Sequence, residues 1–521
     1  MAETKREIER KYEATGDDVR LPDLTKAAGV ASVVDKGVAE LDAVYYDTQD
    51  LRLAADSLTL RRRTGGDDAG WHLKFPVATG IRDEIRAPLS PDVPRSLAAL
   101  LRSRVRDARL APVVRLLSSR HVRHLLDEDS VLLAEVSVDA VRAQRLSPGQ
   151  VATAAWTEIE VELADEVDPD LLDRVEKRLR KAGLRPSHSA SKLARALAET
   201  APSVPDLQKP PAADETSAGD KTSAGDEATA GDHVLGYLRA QRDALVDLDP
   251  AVRRDLPDSV HQMRVATRRL RSAFKSYGKV LDRTVTEPVG EELKWLAGEL
   301  GVDRDQEVLT ERLQSRIAAL PRTLLLGPVR GRLRTWSVAR RSGSRRKTIA
   351  VLDSKRYLVL LDTLDALLDG PPLRPAARRP FAEVLPKAVI KDYERLAGRI
   401  AQALELDPGE PRDLAMHEAR KAAKRARYAA EAARPALGAP ARKFAKRMKA
   451  VQTVLGDHQD SVVAREALRG LAVQAHLAGE SAFTWGLLYG QEVAAAADRE
   501  RELPEVWHRA SRPKLRERLQ A

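Results

Sequence analysis

Charged side chains recur at every second position through much of the first 200 residues, and this period of two constrains the fold more than any other feature. Residues 7–11 read Glu-Ile-Glu-Arg-Lys, so a strand here would place Glu7, Glu9 and Lys11 on one face, because successive side chains of a strand point to opposite sides. Further segments place charge on a shared face in the same way: Arg61 and Arg63, His72 and Lys74, Glu84 and Arg86, and Glu158, Glu160 and Glu162.

Turn signals such as Gly65-Gly66-Asp67-Asp68 separate these segments, and further strands near 40–48, 118–127 and 130–144 bring the predicted number to about eight. Carboxylates cluster in the first and last strands and basic residues in the middle ones. A one-sided sheet with its ionic face in water is the alternative, but this segregation favours a closed barrel with a polar interior. Charges are tolerated there only if they pair or coordinate a ligand.

Net charge divides the chain into three parts. It is −2 for residues 1–200, −5 for 201–232 and +17 for 233–521, which gives +10 overall. The middle part repeats Thr-Ser-Ala-Gly-Asp and has no apolar period, so a flexible linker is predicted over 201–232.

The last part is rich in Ala, Leu and Arg, which predicts helices, and it repeats itself weakly. The segment His261–Arg271 aligns with His417–Arg427, and about forty residues later a Leu-Gly pair precedes a second match, 300–308 against 455–463. Two tandem helical bundles, about 233–340 and 345–515, would produce this pattern.

A basic stripe runs along one helix of each repeat. His261, Arg264, Arg268, Arg271 and Lys275 recur at helical spacing, and few acidic residues stand four positions away to neutralise them. A solvated or salt-bridged face is the ordinary interpretation of such a stripe. Its recurrence at matching positions, beginning with histidine each time, favours binding of an extended polyanion. Metal ligation by the histidines is the less favoured alternative, since the neighbouring cations would repel a metal ion.

Residues 1–200 resemble a CYTH domain, the triphosphate tunnel fold, whose first strand carries the signature E-x-E-x-K. The resemblance implies an eight-stranded antiparallel barrel with flanking helices that binds a triphosphate and a divalent metal, Mg²⁺ or Mn²⁺. It implies metal binding by Glu7, Glu9, Glu158 and Glu160, with Glu158, Glu160 and Lys11 also expected to act in catalysis. The residues expected to bind substrate are Lys11, Arg61, Arg63, Lys74, Arg86, Arg120 and Lys192.

One position departs from the family pattern. Where many relatives read R-x-E-x-E, this chain reads Arg82-Asp83-Glu84-Ile85-Arg86. The tunnel therefore has one carboxylate fewer and one phosphate-binding group more, which leaves the number of metal ions and the choice of substrate open.

Residues 233–515 resemble a CHAD domain, and this resemblance implies two four-helix bundles with a basic groove that binds inorganic polyphosphate. Asp305 and Asp460 are expected to orient the cations of that groove. The residues expected to bind polyphosphate are His261, Arg264, Arg268, Arg271, Lys294, His417, Arg420, Lys421, Lys424, Arg427 and Lys449.

Together these features predict a metal-dependent hydrolase of inorganic triphosphate or a related triphosphate, coupled to polyphosphate binding. A non-catalytic polyphosphate-binding or targeting protein and an adenylyl cyclase of the CYTH type are the alternatives. The sequence holds no cysteine, which excludes thiol chemistry, and no glycine-rich phosphate loop. It has no apolar run that could span a membrane, so a cytoplasmic protein that can associate with polyphosphate granules is expected. A content of 4% aromatic residues argues against nucleic acid as the natural partner.

Overall fold

The computed structural model describes residues 3–13, 20–146, 152–201, 228–341 and 344–520, with the backbone alone at Glu3, 302–305, 340, 341 and 344. The chain divides into two compact units, Met1–Ala218 and Gly219–Ala521. Most of the predicted linker, 201–232, lies outside the described residues.

The first unit is a closed antiparallel barrel. Eight long strands follow the order β5-β4-β3-β2-β6-β7-β8-β1, and pairing of β5 with β1 closes the ring. A two-residue strand, β9, pairs with the end of β1. The strands are β1 Glu3–Glu13, β2 Ser32–Asp47, β3 Thr59–Thr64, β4 Gly70–Ala78, β5 Ile81–Ala87, β6 Ala111–Leu126, β7 Leu132–Arg145, β8 Thr153–Leu163 and β9 Arg185–Pro186. The predicted eight-stranded antiparallel barrel is confirmed.

Strand β1 closes the ring by changing partners halfway along its length. Residues 3–8 pair with β5, and residues 9–13 pair with β8. Gly80 makes this change possible: its φ is +72°, and a Cβ there would lie 2.7 Å from the carbonyl oxygen of Glu9. The backbone N–H of Glu9 donates to the carbonyl of Gly80 at 2.9 Å, so the two chains meet at the point where β1 exchanges β5 for β8.

Four helices accompany the barrel: α1 Arg52–Ala55, α2 Arg95–Val105, α3 Asp170–Lys181 and α4 Lys192–Glu199. The outward residues of β1 and β8, such as Tyr12 and Ile159, are buried with α3, and Trp71 and Leu73 of β4 are buried with α1 and α2. Helix α4 packs in a separate apolar cluster that includes Tyr45 and Trp156. The clusters with α1, α2 and α3 thus lie outside the ring, and the cavity inside it is lined mainly by charged residues, together with apolar ones such as Leu41, Tyr45 and Val122.

The second unit is entirely helical among its described residues, as predicted. Its helices are α5 Ala230–Arg253, α6 Ser259–Ser276, α7 Arg283–Glu299, α8 Gly301–Ala318, α9 Val329–Arg341, α10 Ser344–Asp353, α11 Lys355–Asp369, α12 Phe381–Glu405, α13 Glu410–Ala432, α14 Arg434–Leu477, α15 Phe483–Ala510 and α16 Pro513–Gln520. Helix α14 is interrupted at Gly438, which has φ +57° and ψ −129°. No helix in the described ranges combines the length and apolarity needed to cross a bilayer.

Two predicted boundaries differ from the structure. Helix α5 begins at Ala230, inside the predicted linker, because the side chains of Thr229 and Asp232 form a reciprocal capping box at that point. Helix α11 lies in the range predicted as the second bundle, yet it packs against α5 and α7 of the first. Its leucines, including Leu361 and Leu364, join a hydrophobic core that also contains residues of α12, α13 and α14. The cores therefore do not divide at residues 340–345.

Candidate functional site

The alternation of β1 is realised as a polar cavity of about 560 Å³ inside the barrel, with Glu7, Glu9 and Lys11 in its wall. On the other side of the strand, Arg10 forms ion pairs with Asp173 at 2.6 Å and with Glu176 on α3. The first strand thus carries its carboxylates and ammonium inward, as predicted.

Most of the expected tunnel residues meet in this cavity. Those in its wall are Glu7, Glu9, Lys11, Arg61, Arg63, Lys74, Arg86, Arg120, Glu160 and Lys192. Glu158 is buried but is not among the lining residues. Lys5 and Glu162 also line the cavity and were not expected to, although each extends the two-residue period by one step. Further charged lining residues absent from the expected set are Lys36, Asp67, Asp68, Arg82, His124 and Glu135.

The basic wall is formed by β3 and is incompletely neutralised. Arg61 lies 3.9 Å from Glu84 and 3.5 Å from the hydroxyl of Tyr45, and Arg63 pairs with Asp68. Burial, together with the positive charges of Arg61 and Arg120, lowers the pKa of Arg63 to about 9. A guanidinium whose charge is disfavoured in this way gains most from an anion placed beside it.

Lys74 connects this wall to the carboxylates, because its Nζ lies 2.5 Å from Glu7 and 3.5 Å from Glu84. Glu84 is fully buried, and it also binds His72 at 2.9 Å and Arg86 at 2.5 Å. Burial alone would raise the pKa of Glu84, but His72, Lys74 and Arg61 hold it well below its usual range. The arginine that departs from the family pattern, Arg86, is therefore tethered to Glu84 at the edge of the cavity.

At the α4 side of the cavity, Lys192 is surrounded by carboxylates. Its Nζ lies 2.9 Å from Asp139, 2.9 Å from Glu158 and 2.6 Å from Glu160. Burial would lower the pKa of Lys192, but these three anions raise it well above its usual range. Glu158 also accepts a hydrogen bond from the indole N–H of Trp156 at 2.9 Å, which explains why it does not face the cavity.

Glu160 is engaged on both oxygens. Its Oε1 lies 2.6 Å from Lys11 and 2.6 Å from Lys192, and its Oε2 lies 2.8 Å from Arg120. Burial would raise the pKa of Glu160, but these cations hold it well below its usual range. Within the described residues, the two glutamates expected as late-strand metal ligands, Glu158 and Glu160, thus already have cations or donors on both oxygens.

Three other carboxylates of the cavity wall are less fully paired, although they do not form a preassembled three-ligand cluster among the described residues. Glu9 stands opposite Glu162 in the β1–β8 register, and Glu7 is on the same face of β1. Each has an ion pair on one oxygen: Glu7 with Lys74, Glu9 with Lys11 at 3.5 Å, and Glu162 with Lys5 at 2.7 Å. The other oxygen of each has no partner among the described side chains. Hard divalent cations take such carboxylate oxygens as ligands.

In the helical unit, the repeat found in the sequence corresponds to equivalent contacts. A Cβ at Gly301 would lie 3.0 Å from Nη2 of Arg264, and a Cβ at Gly456 would lie 3.7 Å from Nε of Arg420. The glycine of each Leu-Gly pair therefore leaves space for the arginine at the matching position of its own repeat. Asp460 lies 3.7 Å from Arg420, as expected of an orienting partner, whereas the side chain of Asp305 lies outside the described residues.

A basic groove of about 350 Å³ lies between helices α6, α12 and α13. Four expected residues line it: Arg268, Arg271, Lys421 and Lys424. Five more cationic or acidic residues line it that were not in the expected set, namely Lys275, Arg395, Arg399, Arg425 and Glu418. Arg395 and Arg399 come from α12, which has no part in the repeated motif, so the repeat could not reveal them.

The positive charge of the groove affects the pKa of Lys424. Burial, together with the neighbouring Arg420 and Arg268, lowers the pKa of Lys424 to about 7, and Asp460 opposes this only in part. Arg271 is affected in the same direction, because burial lowers its pKa. A cation beside so many others is protonated more easily once an anion is bound.

The other expected polyphosphate ligands do not line the groove. His417 is bonded through Nδ1 to Gln459 at 2.6 Å, Arg427 donates to Gln452 at 2.9 Å, and Lys294 pairs with Glu291 at 2.9 Å. Lys449 is exposed on α14. His261, Arg264 and Arg420 likewise do not line the groove.

One cluster in this unit has the donor set of a metal site. Nε2 of the buried His458 lies 3.2 Å from both Asp413 and Glu500. The other oxygen of each carboxylate is held by an arginine, Arg465 at 2.5 Å and Arg412 at 3.2 Å. The cluster therefore forms an ion network that connects α13, α14 and α15.

Comparison with known proteins agrees with the division of the chain into a barrel unit and a helical unit. The family model of the CYTH domain matches residues 5–197, and that of the CHAD domain matches residues 236–469. Two uncharacterized proteins of Mycobacterium tuberculosis, from strains CDC 1551 / Oshkosh and ATCC 25618 / H37Rv, are each 39% identical to the chain over 514 residues, which is 95% of this chain and 94% of theirs.

Similar solved structures include PptA from Streptomyces chartreusis, with 22% identity, a TM-score of 0.46, and coverage of 54% of this chain and 99% of that one. The CHAD domain from the plant Ricinus communis has 25% identity, a TM-score of 0.39, and coverage of 57% and 93%. A putative adenylyl cyclase from Hippeastrum, described as having a dominant triphosphatase activity, has 16% identity, a TM-score of 0.22, and coverage of 37% and 95%. From the two matched domains and the relatives that share nearly its full length, the chain belongs to the family of proteins that join a CYTH domain to a CHAD domain.

Proposed function

We propose that the barrel unit is a divalent-metal-dependent hydrolase of inorganic triphosphate or a closely related triphosphate. The observation that carries this proposal is the convergence of many acidic and basic side chains in one cavity inside the barrel. Arg61, Arg63 and Lys74 offer cations to phosphate oxygens, and Glu7, Glu9 and Glu162 each offer one carboxylate oxygen to a metal ion. A triphosphate with its divalent counter-ion matches both requirements at once.

The residues of the cavity would act mainly by positioning and by charge. Guanidinium groups bind phosphate oxygens in a bidentate manner, which fixes the chain and offsets the repulsion that opposes attack at phosphorus. A bound divalent cation would add Lewis-acid neutralisation of the phosphate oxygens. Lys11, held by Glu160 and Glu9, supplies a fixed ammonium beside the carboxylates. Phosphoryl transfer requires little covalent participation by the protein.

For the metal we propose Mg²⁺ or Mn²⁺, because both prefer oxygen donors. Glu7, Glu9 and Glu162 are its proposed ligands. Glu162 replaces Glu158 in this assignment because Lys192 and Trp156 already bind Glu158. Glu160 is assigned instead to holding Lys11, Arg120 and Lys192 in place.

The test is release of phosphate from inorganic triphosphate by the full chain with Mg²⁺ or Mn²⁺. We expect Glu9→Gln, which keeps shape and removes charge, to reduce release by about 100-fold or more. Glu176→Gln on the outer face of the barrel is the matched control and should retain activity. No release by the wild type in either metal would refute the hydrolase and favour the alternative that the tunnel only holds chain ends.

A second activity fits the same cavity, because a cyclase of the CYTH type also binds a triphosphate and a metal ion. With ATP as substrate, formation of cyclic AMP and pyrophosphate would identify the cyclase, whereas release of phosphate would identify the hydrolase.

For the helical unit we propose binding of inorganic polyphosphate in the groove between α6, α12 and α13. Eight of the twelve residues that line it are Lys or Arg, and one is acidic. Burial and the neighbouring Arg420 and Arg268 lower the pKa of Lys424, and a bound chain of phosphates would offset the repulsion among these cations. Because both units belong to one chain, polyphosphate held by the groove would raise its effective concentration at the barrel.

Fluorescence anisotropy with labelled long-chain polyphosphate tests this proposal. We expect Arg271→Gln combined with Lys424→Gln to weaken binding by about tenfold or more. The control combines Lys279→Gln, in the connection between α6 and α7, with Lys391→Gln on α12. Neither of these cations lines the groove. Equal affinities of these two double variants would refute the assignment. In cells, we expect the wild type to colocalise with polyphosphate granules and the Arg271→Gln/Lys424→Gln variant to lose this colocalisation.

A further inference from the structure

The helical unit has a second basic cavity of about 200 Å³ where α14, α15 and α16 meet. Leu515 is the one apolar residue in its wall, and the other six are all cationic: Lys443, Arg447, Arg509, Arg512, Lys514 and Arg518. No acidic residue lines it. Four of these cations lie beyond residue 469, where the match to the CHAD domain model ends.

Four of the six cations come from α14 and α16. Lys443 and Arg447 are four residues apart on α14, and Lys514 and Arg518 are four residues apart on α16, so each pair lies on one helix face. Like charges at this spacing destabilise a helix. Arg509 has an ion pair with Glu505 at 3.1 Å, and the other five form none among the described residues.

Helix α16 is fixed so that these charges stay near α14. Arg516 donates to the hydroxyl of Tyr393 at 2.7 Å and to the carbonyl of Ser511 at 2.7 Å, and its guanidinium lies 4.7 Å from the centre of the Tyr393 ring. Leu515 and Leu519 are buried. These contacts fix which face of α16 is turned toward α14, so the cations of the two helices stay close together.

We infer that this cavity is a second anion site, and that its ligand is a short run of closely spaced phosphates. The wall has no aromatic ring on which a base could stack and no neutral hydrogen-bonding side chain for a peptide backbone. It offers ammonium and guanidinium groups alone, which suit a compact, multiply charged phosphate. Two sources share this chemistry: a separate small polyphosphate, or a distant stretch of the same chain that occupies the groove of α6, α12 and α13.

Lysine acetylation of the full chain reports on the site locally. We expect inorganic tripolyphosphate or long-chain polyphosphate to slow acetylation of Lys443 and Lys514 by about fivefold near saturation. Lys446, which is exposed on the same helix but does not line the cavity, is the internal control. Sulfate at equal ionic strength controls for unspecific screening.

Matched variants test the same site by a second route. Arg447→Gln combined with Arg518→Gln should raise the phosphate concentration needed for half-protection of Lys514 by about tenfold. Arg442→Gln combined with Lys446→Gln removes the same charge from exposed positions outside the cavity and should change it less than about twofold. All four positions are exposed, so the fold is not at risk.

The groove variant Arg271→Gln/Lys424→Gln separates the two sources. Protection by tripolyphosphate that survives in this variant supports a separate small ligand. If long-chain polyphosphate protects the wild type but not the groove variant, and tripolyphosphate protects neither, one continuous chain occupies both sites. Only this second interpretation rests on the proposed binding of polyphosphate in the groove. Protection of Lys421 reports on the groove itself, so failure of that proposal would be seen independently. No protection of Lys443 and Lys514, or equal slowing at Lys446 or with sulfate, would overturn the second site.

Discussion

Replacing Lys192 with methionine would remove the charge that three buried carboxylates share. Asp139 and Glu160 would keep Arg120 as a partner, whereas Glu158 would retain only the indole N–H of Trp156. Removal of one partner from a buried ion pair costs about 3–5 kcal/mol. Because two of the three carboxylates remain paired, we expect the lower end, about 3 kcal/mol, or about 6–12 °C in the melting temperature of a unit of this size.

The dependence on pH follows from the directions of the pKa shifts. Glu160 and Asp139 have pKa values below their ordinary ones, so their contribution is present above the unfolded-state pKa and is lost as pH falls through the folded-state value. Lys192 has a raised pKa, so its contribution is present below its unfolded-state value near 10.5. The difference between wild type and variant should therefore be full near pH 7 and shrink as the carboxylates of the variant become protonated toward pH 4.

Differential scanning calorimetry of the full chain measures this difference, and Lys181→Met on the exposed end of α3 is the control, with less than about 0.5 kcal/mol expected. A loss of less than about 1 kcal/mol at pH 7 would refute the reasoning, because it would mean that the three carboxylates do not depend on Lys192. A difference that grows on acidification would refute it as well.

Three further predictions follow from single contacts. Gly80→Ala should destabilise the barrel by about 1 kcal/mol more than Gly37→Ala in urea unfolding, since both have positive φ but only at Gly80 does a Cβ meet a backbone oxygen; equal losses would contradict this. Polyphosphate affinity should fall up to about tenfold from pH 6 to pH 8 as Lys424 loses its proton, and Lys424→Arg should flatten that profile; an unchanged slope would exclude Lys424 as its source. Arg271→Gln should reduce the slope of log affinity against log salt by about one, and an unchanged slope would remove Arg271 from the anion contacts.

The closed barrel is predictable from the sequence because the period of two fixes which side chains share a face, and the segregation of acidic from basic strands distinguishes an interior from a solvated surface. The same period cannot tell Glu158 from Glu162, since it places both on the same face of β8. Their difference arises from Lys192, which is brought to Glu158 by a helix more than thirty residues later in the chain. The depth of a side chain along the barrel depends on tertiary contacts, so it cannot be predicted from a local sequence pattern.

The helical unit shows a similar limit. The repeat correctly singles out Arg264 and Arg420 as equivalent, because each lies beside the glycine of its own Leu-Gly pair. It does not reveal Arg395 and Arg399, which reach the groove from α12, outside the aligned segments. Comparison of the two repeats identifies residues at matching positions, but it cannot identify groove residues that lie outside the aligned segments.

The location of a bound triphosphate tests the central claim most directly. In a crystal of the full chain grown with inorganic triphosphate and Mn²⁺, the account predicts phosphate density against Arg61, Arg63 and Lys74, and an anomalous manganese peak beside Glu7, Glu9 and Glu162. Triphosphate bound only on the outer surface of the barrel, or manganese at Glu158 rather than at Glu162, would contradict it.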